Sequence, residues 1–318
     1  MKKRWICSAA ALAISAMSTP CAYAQSSVTL YGIIDAGITY FSNLNGHGTF
    51  VANDGSIQSN RWGLLGSEDL GGGAKAIFQL ENGFNLYNGT MVQSGVLFSR
   101  QAWVGLTDTS HGTLTLGKQY DFFWDNLTQF AMGQYAGQYS WHPGDFDHLA
   151  GTLHINNALK YKSPTYYGFS FGALYAFPSQ SVSAGTGRVI AFGARYDGGP
   201  FQAGVAYTDT HFRVANDSGS MPTYEINEVF QLTPATTLMG GYWCSKLGEQ
   251  KFQNGTVLLD YALSKRTDVY TSATYLRVSG GAAPVFLGGG SAPVFSNGVY
   301  VGSGDSSTAI RIGMRTRF

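Results

Sequence analysis

Four charged side chains stand where a period of two sets them apart from apolar neighbours. Leu30, Ile34 and Ile38 take one face of a strand and leave Asp35 on the other. By the same alternation Trp62 and Leu64 oppose Arg61, Phe78 and Leu80 oppose Glu81, and Trp103 opposes Arg100. If the apolar side meets lipid, these charges meet water. Fixed charges lining a narrow aqueous passage set barriers for ions and orient polar solutes. Arg61 and Arg100 also suit an ion pair with Glu81, and the two roles are compatible. His154 is a fifth candidate for that lining, either as a charge that appears near an ordinary imidazole pKa of about 6.5 or as a bystander in a strand.

Between 121 and 153 lie four more acids, Asp121, Asp125, Asp145 and Asp147. Eight aromatic residues accompany them, among them Phe122, Trp124 and Trp141. The acids could face the arginines. The aromatics could form a stacking surface for sugars or aromatic solutes, or simply pack the segment against a wall. His142, Asp145, Asp147 and His148 have a spacing that a metal could use, but polar loop tips hold such sets by chance. No metal or cofactor is expected. Nucleophilic catalysis needs a serine, a histidine and an acidic partner in one place. The chain has six histidines, mostly in connecting segments, and no G-x-S-x-G elbow, so no enzyme is expected.

What must position these residues is legible in the composition. Charged residues are 12% of 318, about half of the roughly 25% usual in soluble proteins. A net charge of +1 argues against a nucleic-acid binder, and 44% hydrophobic residues argue against disorder. Residues 1–24 read as an export signal: basic Lys2-Lys3-Arg4, a short apolar run, then Ala22-Tyr23-Ala24 before the cut. Residues 25–318 then form one domain whose single cysteine, Cys244, can make no internal disulfide.

Along that domain apolar and polar residues alternate. Ile310, Ile312, Met314, Thr316 and Phe318 interleave with Arg311, Gly313, Arg315 and Arg317. Short turns such as Gly71-Gly72-Gly73 and Asp197-Gly198-Gly199-Pro200 alternate with longer connectors at 42–58, 84–96, 121–153, 178–188, 208–222 and 278–308. This pattern describes an all-β, closed, antiparallel up-and-down transmembrane barrel of fourteen strands. Closure is required because lipid offers no partner to an open sheet edge. A soluble sandwich also alternates, but low charge, abundant aromatics and a terminal phenylalanine favour lipid. Lys118 shares its face with Leu114 and Leu116 and points outward. Glu228 shares one with Ile226 and Phe230, which means either a subunit interface or a misread register.

Four long motifs carry a family resemblance. Ser26 to Gly37 (SSVTLYGIIDAG) resembles the first strand of general diffusion porins of the beta-proteobacterial branch. Arg61 to Gly73 (RWGLLGSEDLGGG), Ser99 to Leu106 (SRQAWVGL) and Asp260 to Tyr270 (DYALSKRTDVY) are similar to later strands and turns of that family. The resemblance implies a homotrimer of barrels in the Gram-negative outer membrane, in contact with lipid and lipopolysaccharide. It implies passive diffusion of small hydrophilic solutes and ions. It further implies that 121–153 folds inward as a constriction and that Phe318 is read by the outer-membrane assembly machinery. Family members usually have sixteen strands and fourteen are read here, so either one hairpin is missing, near 188–222, or a strand lies unread inside a loop. Two basic positions of the family's arginine ladder are Leu65 and His154 in this chain. The alternatives are a substrate-preferring channel for a sugar or aromatic solute, a barrel hydrolase and a soluble secreted binding protein.

Overall fold

The computed structural model describes residues 26–44, 46–55, 58–122, 154–178, 185–214, 217–280 and 305–318. The export signal expected at 1–24 and most of the 121–153 segment, Asp125, Asp145 and Asp147 included, lie outside the described residues.

Fifteen strands form one antiparallel sheet. They are β1 (Ser27–Leu44), β2 (His47–Asp54), β3 (Arg61–Gly71), β4 (Ala74–Gly83), β5 (Gln101–Asp108), β6 (Gly112–Tyr120), β7 (His154–Lys162) and β8 (Phe169–Ala176). There follow β9 (Gly185–Asp197), β10 (Phe201–Val214), β11 (Asp217–Thr233), β12 (Thr236–Leu247), β13 (Gln250–Ala262), β14 (Thr267–Ser279) and β15 (Ser306–Arg317). From β3 onward each strand pairs with the next, and β15 returns to β1 to close the ring. The lower half of β1 pairs with β3 and its upper half with β2. β2 and β3 therefore lie end to end as one broken strand, and the barrel has fourteen staves. β2 falls within the connector expected at 42–58. It begins pairing nine residues up β1, roughly 20 Å above its start.

The connector expected at 208–222 is also strand. β10 and β11 stay paired up to Val214 and Asp217. Both sides of a strand are wet above the lipid zone, so the apolar-polar alternation fades there while backbone pairing continues.

The two faces differ as lipid and water require. Leu30, Ile38, Val104, Leu116, Phe171, Val257 and Ile312 are exposed on the outside. Near the short turns Phe169, Tyr196, Phe201 and Phe230 make a ladder of rings 4.7–6.4 Å apart. Such aromatic girdles mark membrane interfaces. Glu228 is on this outer face. It lies opposite Ala203 and Gly240, between Ile226 and Phe230, which excludes the misread register. Lys118 lies opposite Ala102, also outward.

The last residue fastens the seam. Gly32 and Phe318 exchange backbone hydrogen bonds of 3.1 Å. The Phe318 ring lies over Gly32, where a Cβ would fall about 2.1 Å from the ring. Only glycine leaves room for it.

Candidate functional site

The inner face carries two arginine clusters. In the first, Arg61 (β3), Glu81 (β4), Arg100 just before β5 and Tyr120 at the end of β6 meet. Glu81 pairs with Arg100 at 2.8 Å and with Arg61 at 3.2 Å. It also accepts hydrogen bonds from Tyr120 and Tyr31 at 2.7 Å. Arg100 donates to the Tyr120 hydroxyl. All four of these clustered groups are buried. The sequence expectation for Arg61, Glu81 and Arg100 therefore describes one assembly.

One step of that expectation is corrected. Trp103 does not face outward: its register partners are Gln79 and Gly117, while Val104 pairs with Phe78 and Leu116 on the lipid side. The Trp103 indole donates to Gln101 on its own face at 2.9 Å. Arg100 reaches Glu81 because it precedes the regular strand and escapes its alternation.

The second cluster lies along the β1–β15 seam and was anticipated only at Asp35. Asp35 pairs with Arg311 at 2.9 Å, and the Tyr270 hydroxyl shares its one hydrogen between the two Asp35 oxygens. Arg315 pairs with Asp260 at 2.8 Å and Asp268 at 2.7 Å, and Arg317 also reaches Asp268. The Tyr270 ring lies 5.8 Å from the Arg311 guanidinium and 5.3 Å from that of Arg315. Each arginine desolvates its carboxylates and compensates them in the same step. The signal was present in the sequence as the arginine side of the C-terminal alternation.

His154, half-buried at the start of β7, lies opposite Tyr120, with ring centroids 4.9 Å apart. It thus adjoins the first cluster through Tyr120. The β6–β7 pairing is irregular at this point, and Asn157 has a positive φ of 52°.

After β6 the chain turns into the barrel. Phe122 is buried against the inner face of β7–β9 with Ile155, Leu174, Ala176 and Val189. Its ring occupies the space a Cβ on Gly172 would take, and the Lys160 ammonium lies 5.7 Å from it. Asp121 is fully buried beside it. Among the described residues no group of three His, Cys, Asp or Glu side chains could hold a metal ion.

A closed barrel, apolar outside and charged within, is a transmembrane β-barrel of the outer-membrane type. Comparison with known proteins narrows the class. A family model described as Gram-negative porin matches residues 8–242, and the chain belongs to that family. Outer membrane porin protein 32 of Delftia acidovorans is 29% identical along the full length of both chains. An outer membrane porin of Bordetella pertussis is 36% identical over 214 residues, which is 58% of this chain and 54% of that relative. This match thus spans about half the relative's length. Among solved structures, an anion-selective porin from Comamonas acidovorans superposes with a TM-score of 0.66 at 22% identity, covering 92% of this chain and all of the other. The protein is an outer-membrane porin, a channel for diffusion.

Proposed function

We propose that this porin passes small hydrophilic solutes and ions passively, with no cofactor and no covalent step, and prefers anions weakly at neutral pH. The observation that carries the preference is the charge of one wall. From β3 to β7, Arg61, Arg100 and Lys160 are buried on the inner side with two carboxylates, Glu81 and Asp121, which leaves that wall a net positive charge. Fixed positive charge beside a narrow aqueous path lowers the barrier for anions. The Comamonas structure, described as anion-selective, supports this direction. His154 adds to that wall when it protonates. The working unit in this reading is a homotrimer set in outer-membrane lipid and lipopolysaccharide. A Vibrio cholerae OmpT of the same fold, TM-score 0.56, is described in a trimer form. Phe318, seated on Gly32 at the seam, is the end that the assembly machinery would read.

The test is current through planar bilayers under a salt gradient at pH 5.5 and 7.5. Stepwise conductance with a reversal potential on the anion side is expected, growing at pH 5.5 and losing that growth in His154→Gln. A cation-side potential would overturn the preference. A potential unchanged between the two pH values would remove His154 from it.

A further inference from the structure

We propose that Glu225 anchors a subsite for the ammonium group of amine-bearing solutes, on the lumen wall across from Arg61 and Arg100. This deepens the channel reading and rests on it.

The first argument is an asymmetry among buried carboxylates. Asp35, Glu81, Asp260 and Asp268 each hold an arginine within 3.2 Å. Glu225 is also buried, at 6% exposure, and holds no cation among the described residues. Its Oε1 accepts a hydrogen bond from the Asn227 amide at 3.1 Å. Its Oε2 accepts none. A buried carboxylate left this way is costly unless a cation reaches it.

The second argument is the neighbour's orientation. Asn227 lies two residues on, on the same face, and is 1% exposed. By donating through Nδ2 to Glu225 it leaves its own Oδ1 without a partner. Two open acceptors therefore stand side by side. That arrangement suits a group with several N–H donors and no acceptor, which is an ammonium. Trp243 lies directly opposite Glu225 on β12 and is fully buried, giving an apolar flank for a carbon stem.

The third argument is place. β11 is seven staves from β4 in a ring of fourteen, so Glu225 is diametrically opposite the Arg61–Glu81–Arg100 cluster. Glu225 and Arg100 each stand eight residues up from the short-turn end of their strands, and so at similar height. Anions and ammonium groups thus meet opposite walls at one level.

Spermidine added to single channels in planar bilayers is the probe, with wild type, Glu225→Gln and Asn227→Ala compared. Transient current interruptions are expected in wild type. Glu225→Gln should weaken them about tenfold, as loss of a charge-assisted contact implies, and move the reversal potential further to the anion side. Asn227→Ala should weaken them less and leave the potential unchanged. Equal block in both variants, or conducting wild-type channels that spermidine never interrupts, would overturn the subsite alone. Absence of conductance steps in wild type would overturn the channel reading and the subsite with it.

Discussion

Arg311 and Arg315 are fully buried within a β-barrel wall, a setting in which an unpaired charge is not tolerated. Arg315 holds both Asp260 and Asp268. Its removal leaves Asp260 without a counter-charge and Asp268 with Arg317 alone. Arg315→Leu is therefore expected to cost about 3–5 kcal/mol, the usual penalty for breaking a buried pair from one side. Urea unfolding of the lipid-reconstituted protein would measure it, and a loss under about 1 kcal/mol would mean that water reaches these groups. Glu81 has a different consequence, because its partners stand on the proposed anion path. Glu81→Gln should shift the reversal potential further toward anions, while the remaining amide oxygen keeps an acceptor for one of the Tyr31 and Tyr120 hydroxyls. At this scale the sequence was informative in proportion to the regularity of the strand. Asp35, Arg61 and Glu81 sit inside alternating runs, and their faces follow from period two. Trp103 misleads because its ring, large and apolar, is on the inner side, where Gly117 opposite it leaves room. Arg311 and Arg315 were visible as a charged face, but their partners Asp35, Asp260 and Asp268 are 47 to 276 residues away, and no local pattern joins them.

Closure is a matter of elements, and it depends on one strand serving two neighbours. β1 pairs with β3 below, with β2 above and with β15 along the other edge. Fourteen staves were legible from the alternation, including the absence of a hairpin that the sixteen-stranded pattern would require. β2 was not, because it stands above the lipid zone, where no apolar face is needed and the sequence loses its period. The upper parts of β10 and β11 were hidden for the same reason. The seam itself was legible only as a terminal phenylalanine. Its seat on Gly32 needs the fold, since the two residues lie 286 positions apart in the chain. Gly32→Val would place a branched side chain where the Phe318 ring lies. It should lower the yield of folded barrel severalfold in refolding from urea into detergent micelles, read by the heat-dependent shift in gel mobility. A companion Phe318→Ala, which vacates the space, should partly restore the Gly32→Val yield. Failure of that rescue would mean that the defect lies in the strand pairing of β1 rather than in the ring's seat.

For the whole molecule, strand number sets the bore. Barrel diameter grows about linearly with the number of strands. Fourteen staves in place of sixteen reduce the diameter by about one-eighth and the cross-section by roughly a quarter. The inner wall is further filled from one side, where Asp121 and Phe122 turn inward and pack on β7–β9. Both effects act on size rather than on charge. They should therefore appear with neutral solutes, for which the arginine wall and Glu225 are of little consequence. Liposomes carrying this protein should swell in a monosaccharide at rates near those of a sixteen-stranded porin, once scaled to channel number. In a trisaccharide they should fall behind by several-fold, because hindrance rises steeply as the solute approaches the bore. If the monosaccharide-to-trisaccharide ratio instead equals that of the sixteen-stranded comparator, strand number does not set the sieving, and the limit lies in the segment 123–153. Shortening that segment while keeping Asp121 and Phe122 separates the two cases. A steep ratio that survives the shortening belongs to the fourteen-stave wall, and one that relaxes belongs to the segment.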